Sequence, residues 1–320
     1  MKRIAQLIVL AALLSPSFIS AAEVEASLHD ISRFFHTGDG CINLISEKNG
    51  ESFKGRYRFG LAQYDMEAMD AIHRVFDIPK GRSFPGLSLR LIEFLDFLED
   101  RLRPGSRIVI ISGYRDPQYN SRLRNKGGLA AEASLHQYGM AADLKMDKVT
   151  SRRIWDYVKD LGFGGAGYYH DQSVHVDVGP ARSWDEKTTG VGTGISSSNK
   201  LIGIVTDYDV YTTGETITLM FIRMTAFPIG VKPEFSLELL TDSGGYAKVV
   251  DFRPSFSATL EGACPEFSDI GQMGSIHWRL PEQLAAGRYR VRAGFCNRIW
   301  EEMPPEVATP EFEIVRPREK

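Results

Sequence analysis

Cysteine, net positive charge and long apolar runs are all scarce in this chain of 320 residues. The three cysteines are an odd count, so in an exported chain at least one is unpaired or joined to another molecule. Cys41 stands alone with no base partner nominated for it, which argues against a cysteine nucleophile and for a structural thiol. Cys264 and Cys296 lie in one C-terminal region and can pair in an oxidising compartment. Lys and Arg number 38 against 41 Asp and Glu, a formal net charge of −3. Nucleic-acid binding needs a basic footprint, so that class of partner is excluded.

The apolar run Ile4–Leu14 is too short to span a membrane, and no later stretch approaches the required length. Lys2 and Arg3 precede it and the small residues Ser20-Ala21-Ala22 follow, the pattern of a secretory signal peptide over residues 1–22. No cysteine lies near the cleavage site, which argues against a lipid anchor. Cleavage removes Lys2 and Arg3 and no acidic residue, so −3 becomes −5. The expected location is the periplasm or the cell wall.

About 300 mature residues exceed one ordinary core, so two domains are expected. The composition breaks at residues 185–200, DEKTTGVGTGISSSNK, which read as a flexible linker. Before it, residues 23–184 mix helices and strands. Apolar spacing predicts helices over Met66–Phe76, Leu87–Leu102 and Val149–Leu161, and a strand over Arg107–Ser112. That is an α+β domain, expected to carry a small antiparallel sheet. After the linker, residues 201–317 break into short β segments separated by Gly, Pro, Asp and Ser. The spacing suggests an immunoglobulin-like sandwich, read as an accessory domain because it holds no His/Asp/Glu cluster with ligand spacing.

The chemistry concentrates in Ser134-Leu-His136-Gln-Tyr-Gly139-Met-Ala141-Ala-Asp143 and in His175-Val-Asp177. Two histidines and a carboxylate suit a catalytic zinc, which takes three protein ligands and keeps a fourth position for water. Gly139 lets the chain turn between His136 and Asp143. In Ser173-Val-His175-Val-Asp177-Val the alternation predicts a half-buried strand that puts His175 and Asp177 on one face.

Ser134-x-His136-x-x-Gly139-x-Ala141-x-Asp143 matches the first zinc motif of the D-alanyl-D-alanine metallopeptidases, a superfamily shared with lysostaphin-type enzymes and sonic hedgehog. Ile111–Arg115, Asn120 and Arg122-Leu123-Arg124 resemble the segment before that motif in murein members. Gly164–Tyr169 and Val174–Trp184 resemble the second zinc motif of the murein endopeptidase K branch. The resemblance covers residues 42 to 184, about half the chain. It implies a zinc peptidase acting on peptidoglycan stem peptides or cross-links, with Zn2+ held by His136, Asp143 and His175.

Hydrolysis also needs a base to move the proton of the attacking water to the leaving amine. Relatives place it just before the second histidine, where this chain has Gln172 and Ser173, and neither can serve. Asp177 is the first candidate, and equally a partner that orients a ligand. His170 and Asp171 are reserves. By resemblance Arg115 anchors a substrate carboxylate, because a guanidinium can grip it with two hydrogen bonds. Ser134 is expected near the metal and Tyr168 or Tyr169 in the cleft. The resulting expectation is an endopeptidase rather than a carboxypeptidase. The alternative is a non-catalytic wall-binding or regulatory protein that keeps the fold. The sequence specifies no oligomeric state.

Overall fold

The computed structural model describes residues 32–81, 86–125, 134–189, 202–222, 228–256, 263–272, 276–301 and 303–316. The signal peptide and residues 190–200 of the expected linker lie outside the described residues.

The first half is built on one seven-stranded sheet. Its strands are β1 (Cys41–Ser46), β2 (Ser52–Arg56), β5 (Ile108–Ser112), β6 (Ala141–Met146), β7 (Gly165–Tyr168), β8 (Val174–Asp177) and β9 (Arg182–Asp185), in the order β2-β1-β5-β6-β8-β7-β9. A small hairpin, β3 (Arg58–Gly60) and β4 (Gln63–Tyr64), stands apart. The expected small antiparallel sheet is thus corrected to a larger, mixed one. β1 runs parallel to β5 and β7 parallel to β9, while the other neighbours are antiparallel. The crossover from β1 to β5 contains helices α1 (Met66–Val75) and α2 (Leu89–Leu102), which is the length that a parallel connection requires.

Local chemistry sets the helix ends. The Asp65 side chain accepts from the Ala68 amide at the start of α1. Thr150 does the same for the Arg153 amide at the start of α4 (Ser151–Leu161), and Gly162 ends that helix at φ 66. A further helix, α3 (Pro117–Asn125), follows β5.

Register gives each face of the sheet its task. Ile110, Leu144, Val174, Val176 and Ala166 are buried in the core that also takes Leu91, Phe94 and Leu95 of α2 and Ile154 and Val158 of α4. Alternate residues point the other way: Asp143 on β6 is opposite His175 on β8, which is opposite Gly167 on β7, itself opposite Trp184 on β9. The chemical residues therefore line the face opposite the helices.

Buried beneath Gly38 and Gly40, Asp96 of α2 carries a carboxyl that burial pushes up to about 8, although Tyr57 and the Gly40 amide donate to it at 2.8 and 2.9 Å. Its folded-state pKa lies above the unfolded value, so its contribution is present below about pH 4 and is lost as pH rises to about 8. The expected slope is at most about 1.4 kcal/mol per pH unit. Asp96→Asn mimics the protonated acid. Urea melts should give it the parent's stability at pH 4 and greater stability at pH 9. Equal stability at pH 9 would refute the assignment.

In the second half, β10 (Gly203–Thr206), β12 (Thr216–Ile222) and β17 (Ile276–Arg279) form one sheet. β11 (Val210–Thr212), β20 (Phe312–Val315), β18 (Gly287–Gly294), β14 (Phe235–Leu240) and β15 (Tyr246–Phe252) form another, with β19 (Glu306–Ala308) paired to β18, while β13 (Ile229–Gly230) pairs with β16 (Glu266–Phe267). A single apolar cluster draws on both sheets, including Ile204, Leu219 and Phe221 from one and Leu237, Val291 and Ile314 from the other. Cys264 and Cys296 form a disulfide, and Cys41 is free.

The halves are joined by buried polar contacts. Arg90 of α2 pairs with Asp209 at 2.8 Å and donates to the Thr206 carbonyl at 2.8 Å, both side chains being 7% exposed. Arg33 runs along the second half, where its carbonyl accepts from the Asp209 and Val210 amides and its guanidinium lies 3.9 Å from the Tyr208 ring centre. Val205 and Ile222 pack into the first half's core.

Candidate metal centre

The 3-10 turn Leu135–Tyr138 carries His136. Gly139 ends it at φ 62, and a Cβ there would collide with the Gly86 carbonyl, so this left-handed turn admits only glycine. The turn brings His136 back against Asp143 on β6. The Nε2 atom of His136 lies 3.4 Å from Asp143 Oδ1 and 3.3 Å from His175 Nδ1, and His175 Nδ1 lies 3.0 Å from the same Oδ1. The three residues are buried, with donor atoms all within 4.8 Å of one another.

The rear atom of each is already engaged. His136 Nδ1 faces the Gly113 carbonyl at 2.7 Å, which only accepts, so that nitrogen carries the proton. His175 Nε2 faces the Asp177 carboxylate at 2.8 Å and donates to it. The Oδ2 atom of Asp143 accepts from Arg115. His136 Nε2 and His175 Nδ1 are thereby left to face Asp143 Oδ1, and although burial alone would lower His175, the Asp143 and Asp177 carboxylates on its two sides push it up. Burial, reinforced by the Arg115 charge, pushes His136 down, which keeps the imidazole neutral. Burial alone would raise the Asp143 carboxyl; His136, His175 and Arg115 hold it well below the usual carboxylate range. Two imidazoles and one carboxylate, each held from behind, suit a zinc ion, whose binding requires the facing nitrogens to be unprotonated.

Several expected roles are displaced. Asp177 does share the ligand face, but its carboxylate is saturated. Oδ1 accepts from the Gly165 amide, the Gly179 amide and Arg182, and Oδ2 accepts from His175 and Arg182. With charge-assisted partners on both oxygens it stays ionised, its lone pairs are engaged, and it meets His175 from behind, the position of a group that orients a ligand. His170 pairs with Asp185 at 2.6 Å and stacks on Tyr168 at 4.4 Å. Tyr168 is opposite Val174 and Asp185 in the register and packs on Trp155 of α4, so it belongs to the helix-covered face. Neither is brought to the triad.

Tyr169 is brought there: its hydroxyl donates to Asp143 Oδ1 at 3.1 Å, and burial together with Asp143 keeps the phenol protonated. Arg115 donates to Ser112 and to Asp143, so its charge rests on a triad member. Ser134 is buried at the start of the 3-10 turn, where its carbonyl accepts from the Gln137 amide. Sequence reasoning quoted Trp184 and Arg182 without giving them tasks. Trp184 lies 4.9 Å from the His175 ring, reaching over Gly167, where a Cβ would stand 2.5 Å from the indole. The signal for both was the period-two alternation Gly165-x-Gly167 beside Arg182-x-Trp184.

Residues 38–184 match the family model described as peptidoglycan L,D-endopeptidase MepK. Over this region, a little less than half of the chain, it is MepK-like and similar to the M15 peptidases. The Escherichia coli K12 peptidoglycan L,D-endopeptidase MepK is 29% identical over 144 residues, which are 45% of this chain and 79% of that protein. A probable MepK of Haemophilus influenzae is 34% identical over 80 residues, 25% of this chain and 43% of that protein. A solved structure of the bacterial superantigen toxic shock syndrome toxin-1 covers 36% of this chain and 99% of its own at a TM-score of 0.23 and 6% identity. That likeness is too slight to carry an argument. No helix among the described residues is long and apolar enough to cross a membrane.

Proposed function

We propose that this chain is an exported, zinc-dependent peptidase that hydrolyses peptidoglycan cross-links between stem peptides, an endopeptidase rather than a carboxypeptidase. The observation that carries the reading is the convergence of His136 Nε2, Asp143 Oδ1 and His175 Nδ1, each ligand held from behind. The MepK relatives named above support the substrate class. Bound there, zinc would supply a Lewis acid for the scissile carbonyl and lower the pKa of a water to about 7.

The chain's own residues complete the chemistry. Arg115 holds Asp143 and supplies the positive charge that a stem-peptide carboxylate meets beside the triad. The Tyr169 hydroxyl is placed to donate to the oxygen that gains charge as water adds to the carbonyl carbon. The proton released by that water must reach the amine as the carbon–nitrogen bond breaks. Residues 23–184 hold every group in this account. Residues 201–317, read as an immunoglobulin-like accessory domain, are assigned to positioning on the wall.

One observation favours a second reading. Gln172 and Ser173 occupy the usual base positions, and Asp177 and His170 are engaged elsewhere, as a wall-binding protein without activity would allow. Incubating the pure protein with cross-linked muropeptides, with and without a chelator, separates the two. The expected result is chelator-sensitive conversion of dimers to monomers, identified by mass. Zinc-loaded protein that binds muropeptides and leaves them intact would establish the second reading.

A further inference from the structure

Two adjacent rows cross the sheet beside the triad, and each has a glycine at its centre. In one, Gly167 separates His175 from Trp184. In the other, Gly165 on β7 lies between Asp177 on β8 and Arg182 on β9. A side chain at 165 would obstruct this second row, because a Cβ there would stand 2.6 Å from Arg182 Nη1 and closer still to the Asp177 carboxylate. The missing side chain leaves a gap through which Arg182 reaches across a whole strand.

Arg182 uses that gap to grip Asp177 with both terminal nitrogens, at 2.9 Å to Oδ1 and 2.5 Å to Oδ2. The Gly165 and Gly179 amides fix Oδ1 at 3.1 and 2.9 Å. Asp177 is wholly buried. A bidentate guanidinium and two backbone donors leave the carboxylate one orientation, with Oδ2 directed at His175 Nε2 at 2.8 Å. A carboxylate so placed holds a proton on Nε2, so that in the neutral ring the lone pair is on Nδ1, which faces Asp143 Oδ1 at 3.0 Å and His136 Nε2 at 3.3 Å.

We propose that Arg182 and Gly165 are positioning residues for the metal centre: through Asp177 they fix the tautomer and ring orientation of His175. The inference rests on the zinc reading above, though the tautomer part of it does not. An ion pair without this task would affect folding stability alone. A positioning relay changes metal affinity in a protein that is still folded, and outer-shell partners of metal ligands are worth about 10- to 100-fold in affinity.

The test uses the full chain with Arg182→Ala, Arg182→Lys and Gly165→Ala. Zinc dissociation constants are measured by chelator competition, and His175 ring nitrogen shifts by NMR with zinc and in metal-free protein at a pH where the ring is neutral. Expected are a fall of about 10- to 100-fold in zinc affinity for Arg182→Ala and Gly165→Ala, with partial rescue in Arg182→Lys, which keeps a charge but not the fork. Metal-free wild type should carry the His175 proton on Nε2, and Arg182→Ala should show both tautomers. A folded Arg182→Ala with unchanged zinc affinity and tautomer would overturn the proposal. So would a wild-type ring protonated on Nδ1, even if no variant folds. If the wild type binds no zinc but shows the expected tautomer and its loss in Arg182→Ala, the zinc reading fails and the relay stands.

Discussion

His136→Ala is expected to purify without zinc and to lose hydrolysis of muropeptides by at least about 10³-fold. The centre offers three protein donors, and removing one leaves an imidazole and a carboxylate, too few to hold the ion at ordinary concentrations. Lewis-acid stabilisation of the transition state is worth several kcal/mol, and each 1.4 kcal/mol is about tenfold in rate. His136 is also a clean target, since its Nδ1 contact is to a carbonyl on a loop and not to another ionised group. Asp143→Ala would remove a ligand and strand the Arg115 guanidinium as well, so the two losses could not be separated. Metal analysis and an assay on the same preparation check the prediction. Full zinc occupancy in His136→Ala would remove it from the ligand set, and wild-type turnover without zinc would remove metal chemistry altogether.

The second large effect is on stability. Asp209→Ala should cost about 3–5 kcal/mol in urea unfolding, because it leaves the buried Arg90 charge without its counter-ion. Arg90 keeps the Thr206 carbonyl, which offsets part of the loss, but no other acid pairs with it among the described residues. Replacing both, as Arg90→Met with Asp209→Leu, should recover most of the deficit, since an apolar pair of similar volume avoids the desolvation of two ions. The Phe35 amide, which donates to Asp209 at 3.1 Å, loses its acceptor in either case. A cost below about 1 kcal/mol for the single variant would mean that this junction is open to water in solution. The outcome bears on the positioning role proposed for the second half, because locking it to the first would hold the triad in one fixed orientation relative to it.

Short-range signals made much of the site legible. His136 and Asp143 are joined by a turn whose glycine is visible in the sequence, and their convergence follows from that local geometry. The alternation around His175 gave its strand and the shared face of His175 and Asp177 correctly. The six β segments expected in the second half, at residues 201–208, 215–224, 234–240, 247–252, 274–279 and 287–295, match β10, β12, β14, β15, β17 and β18 within a few residues, because each is an apolar alternation bounded by turn formers. Val210–Thr212, Ile229–Gly230, Glu266–Phe267, Glu306–Ala308 and Phe312–Val315 were missed. They are two to four residues long, too short for a period to show.

What the sequence determined by itself was the turn that sets His136 against Asp143, the signal-like N-terminus, the break in composition after Trp184 and the alternation of faces along each strand. All are properties of neighbouring residues. Only the tertiary structure decided that Asp177 is gripped by Arg182 and faces His175, that Tyr169 rather than Tyr168 meets Asp143, and that Arg90 is buried against Asp209. Those outcomes depend on register between strands and on contacts between segments up to 119 residues apart. Period two states which side chains share a face. It does not state which strand lies alongside, and partnership across a sheet is set by that pairing.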